Sequence, residues 1–227
     1  MKGLFFILMM LGFPALAEQA TDPDPWQGLN KKVHEFNEVA DRYVMKPVAR
    51  GYKAVMPKFA RTGVQNFFAN LGDLNNAANN FLQGKVGDGL IDLVRIGINS
   101  TMGLGGLFDP ASNVGLARHN EDFGQTFSVW GAPRGPYLVL PFLGPSTLTD
   151  AIGRPFDSAL DPVRYYHPVD HRNTLFALDQ VRGRAQLLSA EQAVFGDKYL
   201  FYRDAYLQRR NYLINDGRVK QDFDDGF

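Results

Sequence analysis

The chain of 227 residues contains no cysteine. That absence excludes a disulfide framework, thiolate metal centres, cysteine nucleophiles and any lipid anchor attached through sulfur. A charge excess is missing as well, with 24 Lys+Arg against 24 Asp+Glu. Nucleic-acid binders rely on a basic surplus, so nucleic acid is excluded as a partner. The apolar run Leu4–Phe13 is about half of the ~20 residues that a transmembrane helix requires. Nucleophile signatures of the G-x-S-x-G and S-x-x-K kind are absent. The glycines of 103–106 lack the Gly-Lys-Ser/Thr ending of a phosphate loop. His167 and His171 lie four apart, but Pro168 bars the continuous helix on which that spacing would bind a metal. His34 and His119 have no partner at ligand spacing. The reading is therefore non-enzymatic, with no metal and no cofactor.

What is present begins with an address. Residues 1–17 place Lys2, the apolar run Leu4–Phe13 and Ala15-Leu16-Ala17 in the order of a cleaved secretory signal, which implies export. Asp24-Pro25 reads as an N-cap followed by the first residue of a helix. Leu29, Val33, Phe36, Ala40, Tyr43 and Val44 form one stripe over about five turns. Pro47 is expected to interrupt that helix and to start a shorter one with Val48, Tyr52 and Val55 inward; Pro57 ends it. A third helical pattern covers residues 58–83, with Asn75-Asn76 and Asn79-Asn80 on its polar side. Helices also fit His171–Glu191 and Asp197–Asn215, while 157–168 reads as irregular. The last residues, 216–227, form an acidic tail.

The middle differs in texture. Glycine is dense between Gly84 and Gly106, and no charge occurs between Ile96 and Phe108. From Phe123 to Thr149 the single charge is Arg134, among Pro133, Pro136, Pro141 and Pro145. Residues 137–143 fit either a short extended segment or a buried loop. Three readings of these low-charge stretches stay open on physical grounds: an ordinary core, a cavity for an apolar ligand, or a surface that sits in lipid without crossing it.

Seven separated motifs narrow the choice. They are Asp24-Pro25-Trp26-Gln27-Gly28-Leu29-Asn30; Phe81-Leu82-Gln83-Gly84; the run from Arg95 through Asn99-Ser100-Thr101, Gly103, Gly105-Gly106 and Asp109 to Ala111; Glu121-Asp122-Phe123-Gly124-Gln125-Thr126; Gly135-Pro136-Tyr137 with Pro141; Arg184-Ala185-Gln186-Leu187-Leu188; and Arg203-Asp204-Ala205-Tyr206 with Gln208-Arg209-Arg210. In this order they resemble the MlaA/VacJ family of Gram-negative outer-membrane components.

The resemblance implies an all-α, single-domain ring of helices (residues 18–215) around an amphipathic channel, with a glycine-rich irregular middle and a short hairpin lid. It implies non-enzymatic phospholipid transport: lipids that stray into the outer leaflet pass through the channel to a periplasmic carrier, which maintains lipid asymmetry. The implied partners are phospholipid, the outer membrane, a trimeric porin and a periplasmic lipid-carrier protein. Arg95, Asn99, Met102, Leu104, Leu107 and Phe108 would line the channel, with Arg95 and Asn99 as head-group contacts. Asp109, Pro110, Asn113, Gly115 and Leu116 would form the lid, and Phe36 and Asn37 would gate it from the first helix. The chain departs from many members in lacking the lipobox cysteine, so it is expected to sit on the periplasmic side of the outer membrane without being a lipoprotein. The alternative is a soluble periplasmic module that docks a carrier or porin and never enters lipid.

Overall fold

A computed structural model describes residues 22–218, the side chains of 192 and 193 aside. The expected signal, residues 1–17, and most of the acidic tail lie outside the described residues. The first helical run comprises α1 (Gln27–Ala40), a wider π-type turn at Asp41–Met45 and α2 (Lys46–Val55). Pro47 therefore does not break the helix as expected. The chain makes the Lys46 N–H to Asp41 O bond of a π turn just before it, and this loosened turn accommodates the missing donor at Pro47. Asp24 is not the N-cap either. It is buried, accepts from the Asn30 amide at 2.8 Å and from the Tyr199 hydroxyl, and so ties the start of the chain to its last helix.

Two long helices follow, α3 (Lys58–Leu82) and α4 (Val86–Thr101), and they pack against each other as a hairpin. The glycine-rich stretch expected to be irregular is thus helical up to Thr101. Beyond it come the short α5 (Pro110–Asn113), α6 (Phe123–Val129) and a two-stranded antiparallel hairpin. Its strands β1 (Tyr137–Leu140) and β2 (Gly144–Thr147) pair Tyr137 with Thr147 and Leu140 with Gly144. The chain closes with α7 (Leu148–Leu160), a 3₁₀ turn at Pro162–Tyr165, α8 (Val169–Leu187) and α9 (Lys198–Ile214). Residues 157–160, expected to be irregular, are the last turn of α7.

Strand β1 borrows its second partner from α1. Asn30 donates to Tyr137 O at 3.0 Å and accepts from Val139 N at 2.9 Å. One heptad later Asn37 donates to Leu140 O at 2.9 Å and accepts from Phe142 N at 2.7 Å. Two asparagine side chains thereby satisfy an edge that would otherwise leave backbone groups unpaired. Tyr137, Val139 and Tyr199 form a small apolar core beside this junction.

The distribution of side chains is otherwise inverted. Among the described residues that are fully buried, polar ones outnumber apolar ones. Helix α4 shows the pattern most clearly. Gly89, Asp92, Arg95 and Asn99 lie on its buried face, and Val86, Leu90, Leu93 and Val94 lie on its exposed one. Helix α3 answers with buried Asn70, Asp73, Asn76, Asn79 and Asn80. Asn76, Asn79 and Asn80, on the polar side of α3, thus point inward, while Val48 and Val55, expected inward on α2, are exposed. Periodicity defines the two faces of a helix but not their direction, because a stripe says nothing about which solvent surrounds it.

Candidate functional site: a lid pinned over a polar seam

The seam between α3 and α4 is held by side-chain pairs along its length. Asn70 donates to Ser100 Oγ at 3.0 Å, Arg95 Nε lies 3.4 Å from Asp73 Oδ2, and Asn80 donates to Asp92 Oδ2 at 2.8 Å. Polar groups removed from water cost several kcal/mol unless paired, so each member depends on its neighbour across the seam (~1–3 kcal/mol per unsatisfied group).

Residues 109–121 are fastened onto this seam. Arg95 donates to Leu116 O at 2.7 Å, to Ser112 Oγ at 3.1 Å and to both oxygens of Asp109 at 3.2 and 3.1 Å. Asn99 donates to Asp109 Oδ1 at 2.9 Å and accepts from Ala111 N at 3.1 Å. Arg118 reaches back to Ala69 O at 2.7 Å and to Asp73 at 3.3 Å, and His119 Nδ1 sits 2.8 Å from Asp92. Burial pushes the Asp73 carboxyl above its ordinary range despite Arg118 and Arg95. Burial would raise Asp109 too, but the bonds from Ser112, Asn99 and Arg95 outweigh it and hold that carboxyl at about 2.

The connection from α4 to the lid is a tight glycine turn that pushes apolar side chains outward. Met102, Leu104, Leu107 and Phe108 are exposed, Leu104 by 67%. Gly106 has φ +90 and sits against Asn70, a conformation that side chains disfavour. Gly103 is wedged between two carbonyls: an added Cβ would lie 2.3 Å from Asn99 O and 2.4 Å from Phe108 O. Gly103→Ala is therefore expected to displace the turn and the start of the lid. Faster amide exchange over residues 99–118 in the variant would show it.

These distances place the sequence-derived residues in two groups. The apolar four are presented on the surface. Arg95 and Asn99 are buried, at 1% and 3% exposure, with the two Nη atoms of Arg95 and both polar atoms of Asn99 spent on residues 109–116. The lid itself is a helical turn and an extended return rather than a paired hairpin: Asp109 caps α5 and Gly115 has φ +84. Phe36 and Asn37 contact the β-hairpin tip rather than the lid, with Phe36 edge-on to Phe142 at 5.1 Å. Asp73, Arg118, Ser112 and Asp92 were missed by sequence reasoning. The available signal was the spacing Asn70, Asp73, Asn76, Asn79, Asn80, which places amides and a carboxylate on one helix face.

The fold is a predominantly helical, ring-like one with exposed apolar faces, a polar interior seam and residues 109–121 pinned onto that seam, and no described helix is long and apolar enough to cross a membrane. The family described as "MlaA lipoprotein" matches residues 22–213. The chain belongs to the MlaA lipoprotein family. It is 35% identical over 209 residues to the intermembrane phospholipid transport system lipoprotein MlaA of Shigella flexneri, covering 89% of this chain and 83% of that one. The protein of the same name from Escherichia coli strain K12 is 34% identical with the same coverage, and that of Haemophilus influenzae is 28% identical over 202 residues, covering 86% and 81%. A solved chain described as "Structural basis for maintenance of bacterial outer membrane lipid asymmetry" superposes with a TM-score of 0.73 at 34% identity, covering 85% of this chain and 99% of that one.

Proposed function

We propose that the protein sits in the periplasmic leaflet of the outer membrane, draws misplaced phospholipids out of the outer leaflet and releases them to a periplasmic carrier, without catalysing a reaction. The observation that carries this reading is the inverted α4, whose apolar face Val86, Leu90, Leu93, Val94 is exposed and whose polar face is buried. In water such a surface is costly, at roughly 25 cal/mol per Å²; against acyl chains it is the favourable arrangement. It also supplies membrane retention to a chain without a cysteine to acylate. Relatives named for intermembrane phospholipid transport support this function.

In this scheme Met102, Leu104, Leu107 and Phe108 form the apolar wall of the lipid path. Arg95 and Asn99 act first as the latch of the lid, and their polar atoms meet a head group only once Asp109–Leu116 lifts. Phe36 and Asn37 act through the β-hairpin tip. A trimeric porin and a soluble carrier are the partners this scheme requires.

The test is charge placed on the wall. Leu104→Asp and Leu107→Asp, both at exposed positions, are expected to leave the melting temperature within a few degrees (surface changes cost ~0.5 kcal/mol or less) while abolishing lipid transfer and restoration of asymmetry in a null strain. Full complementation by both folded variants would overturn the path assignment. Alkaline carbonate followed by high salt separates the alternative: a protein released from outer membranes by these washes is a soluble docking module.

A further inference from the structure

Away from the lid, α2, the first turn of α3 and the last turns of α8 enclose two adjoining clefts that share Lys53. The larger, of about 410 Å³, is lined by Lys46, Arg50, Lys53 and Lys198, with Glu191 as its carboxylate. The second, of about 240 Å³, is lined by Tyr52, Lys53, Lys58, Arg61 and Arg182, and no carboxylate lines it.

Some of these cations are already spoken for. Lys46 pairs with Glu191 at 2.9 Å, Lys198 with Glu38 at 3.0 Å, and Arg182 with Asp179 while lying over the Phe68 ring. Arg50, Lys53, Lys58 and Arg61 have no carboxylate within 4.0 Å among the described residues; Lys53 reaches only Ser189 Oγ, at 3.4 Å. In the wall of the second cleft, behind its surface, the Nε of Arg61 and the hydroxyl of Tyr52 have no hydrogen-bond partner among the described residues. Both are donors left open to an acceptor from outside the chain. The first turn of α3 has no side-chain cap, so the positive end of a 25-residue helix adds to the same field.

We propose that these clefts bind the head group of an anionic glycerophospholipid, the phosphodiester accepting from Arg61, Tyr52 and Lys53. The chemistry is that of a planar guanidinium and ammonium groups around a phosphate oxygen. The apolar exterior of the protein places acyl chains within reach, and in this the inference rests on the membrane location argued above. None of the cleft residues belongs to the lid or the lipid path, so the site retains a lipid beside the protein rather than conducting one.

The test uses the full chain in detergent, titrated with phosphatidylglycerol, phosphatidylcholine or inorganic phosphate and read by native mass spectrometry. Phosphatidylglycerol is expected to be retained over phosphatidylcholine, whose choline cancels the phosphate charge. Retention falls about tenfold in Lys53→Glu and in Arg61→Gln and returns in Lys53→Arg, with circular dichroism unchanged in all three. Equal retention of the two lipids, or undiminished phosphatidylglycerol binding in both folded variants, overturns the site. Displacement of the lipid by an equimolar amount of inorganic phosphate overturns the lipid assignment in favour of a free-oxyanion site. The Leu104→Asp variant is expected to keep this selectivity even when transfer is lost, which separates failure of this site from failure of the transport reading.

Discussion

Arg95→Met is expected to destabilise the protein by about 3–5 kcal/mol, because it takes from Asp73 and Asp109 the one buried cation they share. The shape of the side chain is roughly kept, so the loss is electrostatic. Asp73 is fully buried, and Asp109 is held by the same guanidinium that donates to Leu116 O and Ser112 Oγ. In a chain of this length the melting temperature should fall by about 10 °C. The pH dependence gives the effect a signature. In the wild type the depressed Asp109 carboxyl contributes stability that is complete above its unfolded value near 4 and is lost as pH falls toward about 2. In the variant Asp73 keeps only the more exposed Arg118 cation and Asp109 keeps Ser112 and Asn99, so both carboxyls titrate above their wild-type values. Protonation in acid therefore relieves the variant more than the wild type, and that relief disappears as pH rises. The gap between wild type and variant is therefore widest near pH 7 and narrows toward pH 4. A gap independent of pH would mean that Arg95 acts by packing alone. Hydrogen exchange adds a local readout: residues 109–118 should lose protection before α8 does, since the latch goes before the scaffold.

The same lid shows what a sequence carries and what it does not. Helical periodicity located α3, α8 and α9 to within a few residues, because their apolar positions recur every three or four. It could not orient them. Val48 and Val55 repeat at the correct spacing yet face outward, and Asn76, Asn79 and Asn80 face inward, since a repeat reports two faces without reporting which solvent each one meets. Helix α4 was hidden by its own glycines. Gly89 is there because the Phe81 ring fills the space a Cβ would occupy, at 2.8 Å, and such a packing requirement is invisible to helix propensity. A family motif singles out Arg95, Asn99 and Asp109, with Arg95 and Asn99 expected at a head group rather than bonded to residues 109–116. Asp73 and Arg118 lie outside that motif, since Asp73 meets Arg95 across 22 residues and Arg118 meets Asp73 across 45, by a geometry that only the α3–α4 pairing creates. Asn37 reaches Leu140 and Phe142 across more than a hundred residues, so its place at the hairpin tip was beyond any local pattern.

At the opposite end of the chain, Arg210 should prove as costly to remove as Arg95, and its removal tests whether α9 is an integral part of the ring. Arg210 is 6% exposed and bridges the starts of two helices. It donates to both oxygens of Asp122, the N-cap of α6, with Nη2 at 2.7 Å, and through Nε to Asp150 in the first turn of α7 at 3.0 Å. Burial would raise the Asp122 carboxyl, but Arg210 outweighs it and holds it below its ordinary range. Arg210→Met leaves two carboxylates facing each other without a cation, at an expected cost of about 3–5 kcal/mol. Arg210→Lys should recover only part of it, since an ammonium cannot reproduce the fork that spans both partners. A second route into the same junction supplies the control. Gly124 lies so close that an added Cβ would stand 2.2 Å from Asp150 Oδ1 and 2.6 Å from Arg210 Nη2, so Gly124→Ala must push α7 and α9 away from α6, at about 1–3 kcal/mol. If the ion cluster is what holds these three helices together, the double variant will lose less than the sum of the two single losses, because the junction can be broken only once. Strict additivity in thermal or denaturant unfolding would show instead that Gly124 and Arg210 stabilise separate contacts, and that α9 is held to the ring chiefly by Tyr199 and its bond to Asp24.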